Sequence, residues 1–261
     1  MENVSEDKYA FSKVYEDRNF AVNYRSNALN KMEETEEFIS FCLHKIFRDE
    51  IFQNKTLLEV GCGPIVHRIA AASKYFSEII LSDYSKHNRE AIRQWIKNES
   101  SSKDWDTLMR MEALLEGFGN VEEGINEIKF RLRQKIKQVI PCDILKKEII
   151  PSGVGKFDVL FTSFCLEGAC TTLEDFKSAV KNFNNYILPN GELVMVTILD
   201  SPYYYVGNNK LTTLSVSLEF VNEALKEAGF IIKHCYLTEN NKQVRICNFS
   251  GILILSAIKS I

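Results

Sequence analysis

Five short runs of this chain are apolar on both faces, and few folds can accept strands of that kind. They are Thr56–Val60, Glu78–Ser82, Phe157–Thr162, Glu192–Leu199 and Gly251–Ile258. A strand with one wet face alternates apolar and polar residues, whereas a run apolar on both faces needs cover on each side. Ile231–Leu237 and Gln138–Cys142 read as weaker members of the same set.

Between the runs the apolar period lengthens to that of a helix. Leu173–Leu188 places Leu173, Phe176, Val180, Phe183 and Ile187 at three- and four-residue steps, and Pro189-Asn190-Gly191 then reads as a stop and turn. Ser217–Ala228 repeats the scheme, with Gly229 as a C-terminal cap. Strand and helix alternate as in a doubly wound α/β fold, here a Rossmann-like, mostly parallel seven-stranded sheet. The 261 residues suffice for one such domain spanning 1–261. Residues 1–54, polar and helical in pattern, and a helical insertion at 95–136 exceed what the alternation needs. Both are expected to cover the carboxyl edge of the sheet, where open α/β folds bind ligands. A solvated decoration away from the site is the competing reading of the insertion.

Composition excludes several partners. A net charge of −3 gives no reason to expect nucleic acid. The first thirty residues are too charged for a signal peptide, and no apolar run approaches the roughly 20 residues that span a bilayer. Seven cysteines, an odd number without metal-ligand spacing, suit reduced thiols and a cytoplasmic location. The four histidines are scattered, so no metal is assigned, and no Gly-x-Ser-x-Gly elbow supports hydrolase chemistry.

The strongest local signal is Leu57-Leu58-Glu59-Val60-Gly61-Cys62-Gly63-Pro64, a buried strand entering a Gly-x-Gly turn and then a helix, expected over Ile65–Lys74. Gly61 and Gly63 permit the turn and a close ligand approach, and the helix start would offer N–H groups to a carboxylate. The next strand ends in Ser82-Asp83-Tyr84, which sets Asp83 22 residues after Gly61, where nucleotide-binding sheets hold ribose hydroxyls. A third glycine is lacking, which speaks against NAD. Glu59, just before the turn, suits a ligand with an ammonium and a sulfonium better than a pyrophosphate. These features point to S-adenosylmethionine, against the plainer reading of a structural turn.

Further blocks extend the pattern from about Phe11 onward: Ser82-Asp83-Tyr84-Ser85 with Asn88, Trp105, Cys142-Asp143, and Phe164-Cys165-Leu166-Glu167 with Ala169-Cys170. Leu188-Pro189-Asn190-Gly191 and Ser201-Pro202-Tyr203-Tyr204-Tyr205-Val206-Gly207 follow. In this order the chain resembles the nicotinamide, phenylethanolamine and indolethylamine (thioether) N-methyltransferases. The resemblance implies that Gly61 and Gly63 line the methionine end of the cofactor, while Asp83 binds ribose with Tyr84 on the adenine and Asn88 near the ribose. It implies that Asp143 and Ile144 hold the adenine edge, with Ser163 beside the methionine backbone. An N-terminal lid would contribute Phe20, where the family usually has Tyr, and Tyr24. Ile65 and His67 also depart from the Thr and Tyr that relatives often carry. A monomer is implied by the same resemblance.

Methyl transfer from a sulfonium is an in-line displacement that depends on holding the acceptor nitrogen about 3–3.5 Å from the methyl carbon in a dry, closed pocket. A protonated amine has no lone pair, so a carboxylate must hold it and take a proton. The phenylethanolamine branch has Glu at the position of Glu167, and there it contacts the amine. A helix-start acid stabilised by the dipole is the plainer reading. Where the nicotinamide branch grips the carboxamide with an Asp, this chain has Thr197, which weakens nicotinamide as acceptor. Phe164, Tyr203, Tyr204, Tyr205 and Thr213 are expected on the pocket wall, with Tyr204 nearest the acceptor and Asn248 as a further polar contact. The leading expectation is therefore an N-methyltransferase of a small amine or N-heteroaromatic. A thioether or thiol S-methyltransferase and a catalytically silent cofactor-binding protein are the alternatives.

Overall fold

A computed structural model describes residues 33–48, 52–100, 102, 104–206, 208–239 and 249–260. The chain runs α1 (Glu33–Phe47), β1 (Thr56–Val60), α2 (Ala72–Tyr75), β2 (Glu78–Asp83), α3 (Lys86–Ile96), α4 (Asp106–Leu115), α5 (Val121–Lys135) and β3 (Ile136–Pro141). It continues through β4 (Phe157–Ser163), α6 (Leu166–Ala169), α7 (Leu173–Phe183), β5 (Ile187–Leu199), β6 (Tyr203–Val206), β7 (Asn209–Thr212), α8 (Leu218–Glu227), β8 (Phe230–Glu239) and β9 (Gly251–Lys259).

Seven strands form one sheet in the order β3-β2-β1-β4-β5-β9-β8, and β6-β7 is a separate hairpin. Pairing is parallel from β3 through β5, and β9 is antiparallel to both of its neighbours. All seven strands expected from sequence are present. The reason for their two-sided apolarity is direct: Leu57, Ile79, Phe161 and Val194 join one core, and Leu58, Ile80, Leu160 and Leu193 join the other. The second core is closed by α7 through Phe176 and Val180 and by α8 through Val221 and Leu225. Local capping starts these helices: Thr172 and Asp175 form a reciprocal box on α7, and Ser217 accepts from the Phe220 N–H on α8.

Three expectations are corrected. The helix expected over Ile65–Lys74 is broken into a 3₁₀ turn, His67–Ile69, and the four-residue α2, neither with a side-chain N-cap. Ile65 and Val66 are buried, and Val66 sits at φ −128°, so core packing overrides the helical pattern there. No long helix start then faces the Gly-x-Gly turn. The insertion at 95–136 does not simply cap the carboxyl edge. Met109 and Ala113 of α4 and Ile125, Ile128 and Leu132 of α5 lie in the first core with Leu57 and Phe161, beside Ile39, Leu43 and Phe47 of α1. This layer still meets the edge at one place, where Trp105 stacks on His67 with ring centroids 5.4 Å apart. Finally, α7 ends at Phe183 and a 3₁₀ turn leads into β5, so Pro189-Asn190-Gly191 is not a stop before the strand. It is an irregularity inside β5: pairing with β4 jumps from Phe157↔Ile187 to Val159↔Glu192, with Asn190 at φ 61°.

Candidate active site

The turn after β1 is fixed from both neighbouring strands. The N–H groups of Gly61 and Cys62 donate to the Ser82 carbonyl at 2.9 and 3.0 Å, the Ser82 hydroxyl donates to the Glu59 carbonyl, and the Thr162 hydroxyl donates to that of Val60. Gly61 has φ 73°, and a Cβ there would lie 2.1 Å from Cys165 Sγ, so no other residue fits. Gly63 (φ 61°) faces open space instead.

Asp83, at the end of β2, is the organising carboxylate. Its Oδ2 accepts from Gly63 N at 2.7 Å, and its Oδ1 accepts from Ser85 N at 2.8 Å and Asn88 Nδ2 at 3.0 Å. Arg89 binds the Asp83 and Tyr84 carbonyls at 2.8 and 2.7 Å. Burial nevertheless raises the Asp83 carboxyl above its ordinary range, against the opposing pull of these hydrogen bonds. The Tyr84 ring is 58% exposed beside it. Asp143 is half-buried, with its N–H bound to the Ile149 carbonyl and Oδ1 accepting from Leu145 N, and Ile144 is buried. Asn88 thus spends its amide on Asp83, a role in support of that carboxylate.

Below the turn, Glu59 is buried with Oε2 lacking a hydrogen-bond partner among the described residues, and burial pushes its carboxyl up to about 8. The Ser163 hydroxyl is likewise buried without a partner. Sequence reasoning missed the neighbouring group. Arg68 in the 3₁₀ turn is 3% exposed, its Nη2 donates to Glu36 Oε1 of α1 at 2.7 Å, and its Cζ lies 4.9 Å from the centre of the Phe164 ring. His67 Nε2 lies 3.3 Å from Glu36 Oε2. Burial alone would raise the Glu36 carboxyl, but Arg68 and His67 outweigh it and hold it below its ordinary value. The available signal was two polar residues inside the apolar run Pro64-Ile65-Val66-His67-Arg68-Ile69-Ala70-Ala71-Ala72.

On the acceptor side the structure joins two predicted residues. Glu167 of α6 is 2% exposed, and its Oε1 accepts from Ile198 N of β5 at 3.0 Å. Thr197 stands near enough to favour the ionised carboxylate, yet Glu167 Oε2 and Thr197 Oγ1 have no hydrogen-bond partner. Burial dominates and pushes the Glu167 carboxyl up to about 7. Phe164, the residue after β4, holds φ 51°.

The hairpin divides the tyrosines. Tyr204 packs on the first core, whereas Tyr203 and Tyr205 meet each other at 5.8 Å and Lys210 lies over the Tyr203 ring. Alternation along a strand sends neighbours to opposite faces, so one wall cannot hold all three. Thr213 is less available than expected, because its hydroxyl donates to the Ser201 carbonyl at 2.6 Å. Phe20, Tyr24 and Asn248 lie outside the described residues.

Comparison with known proteins bears on the whole chain. The NNMT/PNMT/TEMT family model matches residues 4–260. The chain is 31% identical to nicotinamide N-methyltransferase of Homo sapiens over 220 residues, covering 83% of this chain and 81% of that one. It is 28% identical to human phenylethanolamine N-methyltransferase over 225 residues, with coverage of 84% and 78%. Among solved structures, magnesium protoporphyrin IX methyltransferase from Synechocystis PCC 6803 with bound S-adenosylmethionine shares the fold, with a TM-score of 0.62 at 12% identity over 97% of each chain. The residues present fit that cofactor. Asp83 Oδ2 accepts one hydrogen bond and keeps a lone pair for a ribose hydroxyl, Glu59 Oε2 and Ser163 Oγ can accept from an ammonium, and the approach over Gly63 is open. The chain belongs to the NNMT/PNMT/TEMT family and is an S-adenosylmethionine-dependent N-methyltransferase of small molecules.

Proposed function

We propose that the acceptor is a small amine and that Glu167 holds its ammonium and removes the proton that masks the nitrogen lone pair. The observation that carries this reading is the Glu167 carboxylate itself. It is buried, one oxygen is pinned by the Ile198 N–H, the other has no partner, and its carboxyl is pushed up to about 7. A carboxyl in that range is ionised in a useful fraction at neutral pH and is basic enough to take a proton.

S-adenosylmethionine supplies the electrophilic methyl group when bound. Asp83 and the Gly61–Gly63 turn hold the cofactor, while Asp143, Ile144, Tyr84 and Asn88 surround its nucleoside. Glu59 and Ser163 take the ammonium of its methionine end. Phe164 and Tyr204 line the acceptor side and keep water away. Thr197 leaves the Glu167 carboxylate as the acidic group of this wall, which favours an amine over the carboxamide of nicotinamide. We read residues 1–261 as one methyltransferase domain, acting as a cytoplasmic monomer.

Turnover across nicotinamide, quinoline, phenylethanolamine, tryptamine and a simple thioether, followed by S-adenosylhomocysteine release, tests the reading. Glu167→Gln lowers kcat/KM for amines about a hundredfold or more, and leaves S-adenosylhomocysteine affinity within about threefold because the cofactor contacts lie elsewhere. Equal amine turnover by wild type and E167Q removes Glu167 from the chemistry.

A further inference from the structure

We propose that Arg68 anchors the carboxylate of the cofactor's methionine end, opposite the ammonium site at Glu59 and Ser163. The guanidinium is buried and always charged, but among the described residues only Nη2 is used, on Glu36, while Nε and Nη1 have no hydrogen-bond partner. Buried donors are rarely left unmatched, and two unmatched nitrogens on one arginine leave donors for an anion beside the Glu36 contact.

Its position fits. Arg68 follows Gly63 by five residues, its Cζ stands 4.9 Å from the centre of the Phe164 ring at the end of β4, and its charge is felt by Glu59 at the end of β1. It therefore lies over the carboxyl ends of the two strands that flank the turn. The local backbone also explains the need. A carboxylate beside this turn would ordinarily meet the N–H groups of a helix start, but here the segment is a three-residue 3₁₀ turn and a four-residue helix. A side-chain cation replaces the missing backbone donors. Glu36 orients the guanidinium from α1 through Nη2 alone, and burial lowers the basicity of His67 beside it.

The chemistry recognised is a carboxylate, and an acceptor carrying one is the rival source. Calorimetric titration separates the two without turnover. The probes are S-adenosylhomocysteine, its decarboxylated analogue and adenosine, titrated into wild type, Arg68→Gln and Arg68→Lys. Wild type is expected to prefer S-adenosylhomocysteine over the decarboxylated analogue by about thirtyfold or more, the scale of a charge-assisted fork on a buried carboxylate. R68Q is expected to bring that ratio within about threefold while adenosine affinity holds, and R68K, a point charge without the fork, to cut it several-fold. Three outcomes overturn the proposal: no preference in wild type, an unchanged ratio in R68Q, or equal weakening of all three probes in both variants. The last would mean a purely structural arginine. If R68Q does not fold, the wild-type ratio and R68K decide, and an unchanged R68K ratio counts against the anchor.

Discussion

The carboxylates of Asp83, at the end of β2, and Glu167, in α6 after β4, follow the two strands that flank β1, and they are handled in opposite ways. Asp83 receives three hydrogen bonds from Gly63, Ser85 and Asn88 before any ligand arrives. Glu167 receives one, from Ile198, and keeps an oxygen bare. The difference teaches what each half is for. On the proposed reading, a group that would hold an unchanging ribose is best fixed in place, whereas a group that would trade a proton with a changing acceptor needs a vacant lone pair and an uncommitted charge state.

The most severe way to break this contrast is on the cofactor side. Gly61→Ala forces a Cβ into Cys165 Sγ at φ 73°, and the strain and overlap together amount to about 2–5 kcal/mol, lost in both stability and cofactor affinity. Thermal melts and S-adenosylhomocysteine titration check it, and Cys165→Ala in the same chain should restore part of the loss. Next in size, Asp83→Asn removes the charge that the Gly63 and Ser85 N–H groups were built around. S-adenosylhomocysteine affinity should fall about ten- to a hundredfold by calorimetry, while wild-type-like affinity would show that fixed geometry, and not charge, holds the ribose.

A smaller effect concerns pH. The carboxyls of Glu59 and Glu167 are raised to about 8 and about 7 from an ordinary 4.5. The stability they contribute is therefore complete below about pH 4.5 and is lost as pH climbs through 7 and 8, because the unfolded chain then releases protons that the folded chain retains. The melting temperature of ligand-free protein should decline from pH 5 to pH 9, and Glu59→Gln should flatten that decline. The smallest effect sharpens the acceptor side: Thr213→Val leaves the Ser201 carbonyl without its hydroxyl donor and costs about 1 kcal/mol. Acceptor KM should rise a few-fold, with S-adenosylhomocysteine affinity untouched.

Much of the fold was legible because it rests on local pattern. Two-sided apolar runs located the five inner strands, the two edge strands gave a weaker signal because much of their surface is exposed, and the loop, Asp83 and Glu167 stood out by their position after strand ends. What sequence missed depends on contacts between distant segments. The broken helix after Gly63 follows from burying Ile65 and Val66, and the irregularity at Asn190 follows from the register that β4 imposes on β5. Arg68 was read past because its burial and its bond to Glu36 span 32 residues. The grouping of three tyrosines on one wall was a different kind of error. Strand alternation, visible in Tyr203-Tyr204-Tyr205 itself, already separates the middle ring from the outer two.

The antiparallel strand β9 carries a consequence for the order in which the two halves come into being. It sits between β5 and β8, yet the ribosome makes it after both. The strands that bear Glu59, Asp83 and Ser163, namely β1, β2 and β4, are all synthesised and able to pair while β9 is still unmade. The β5 segment that bears Thr197 and Ile198 has no partner on its outer edge until Ile252 and Leu253 arrive. On the proposed reading, the nascent enzyme would thus acquire its grip on the donor before the acceptor wall is finished, and a chain stalled in the β8–β9 interval would expose that edge to other chains.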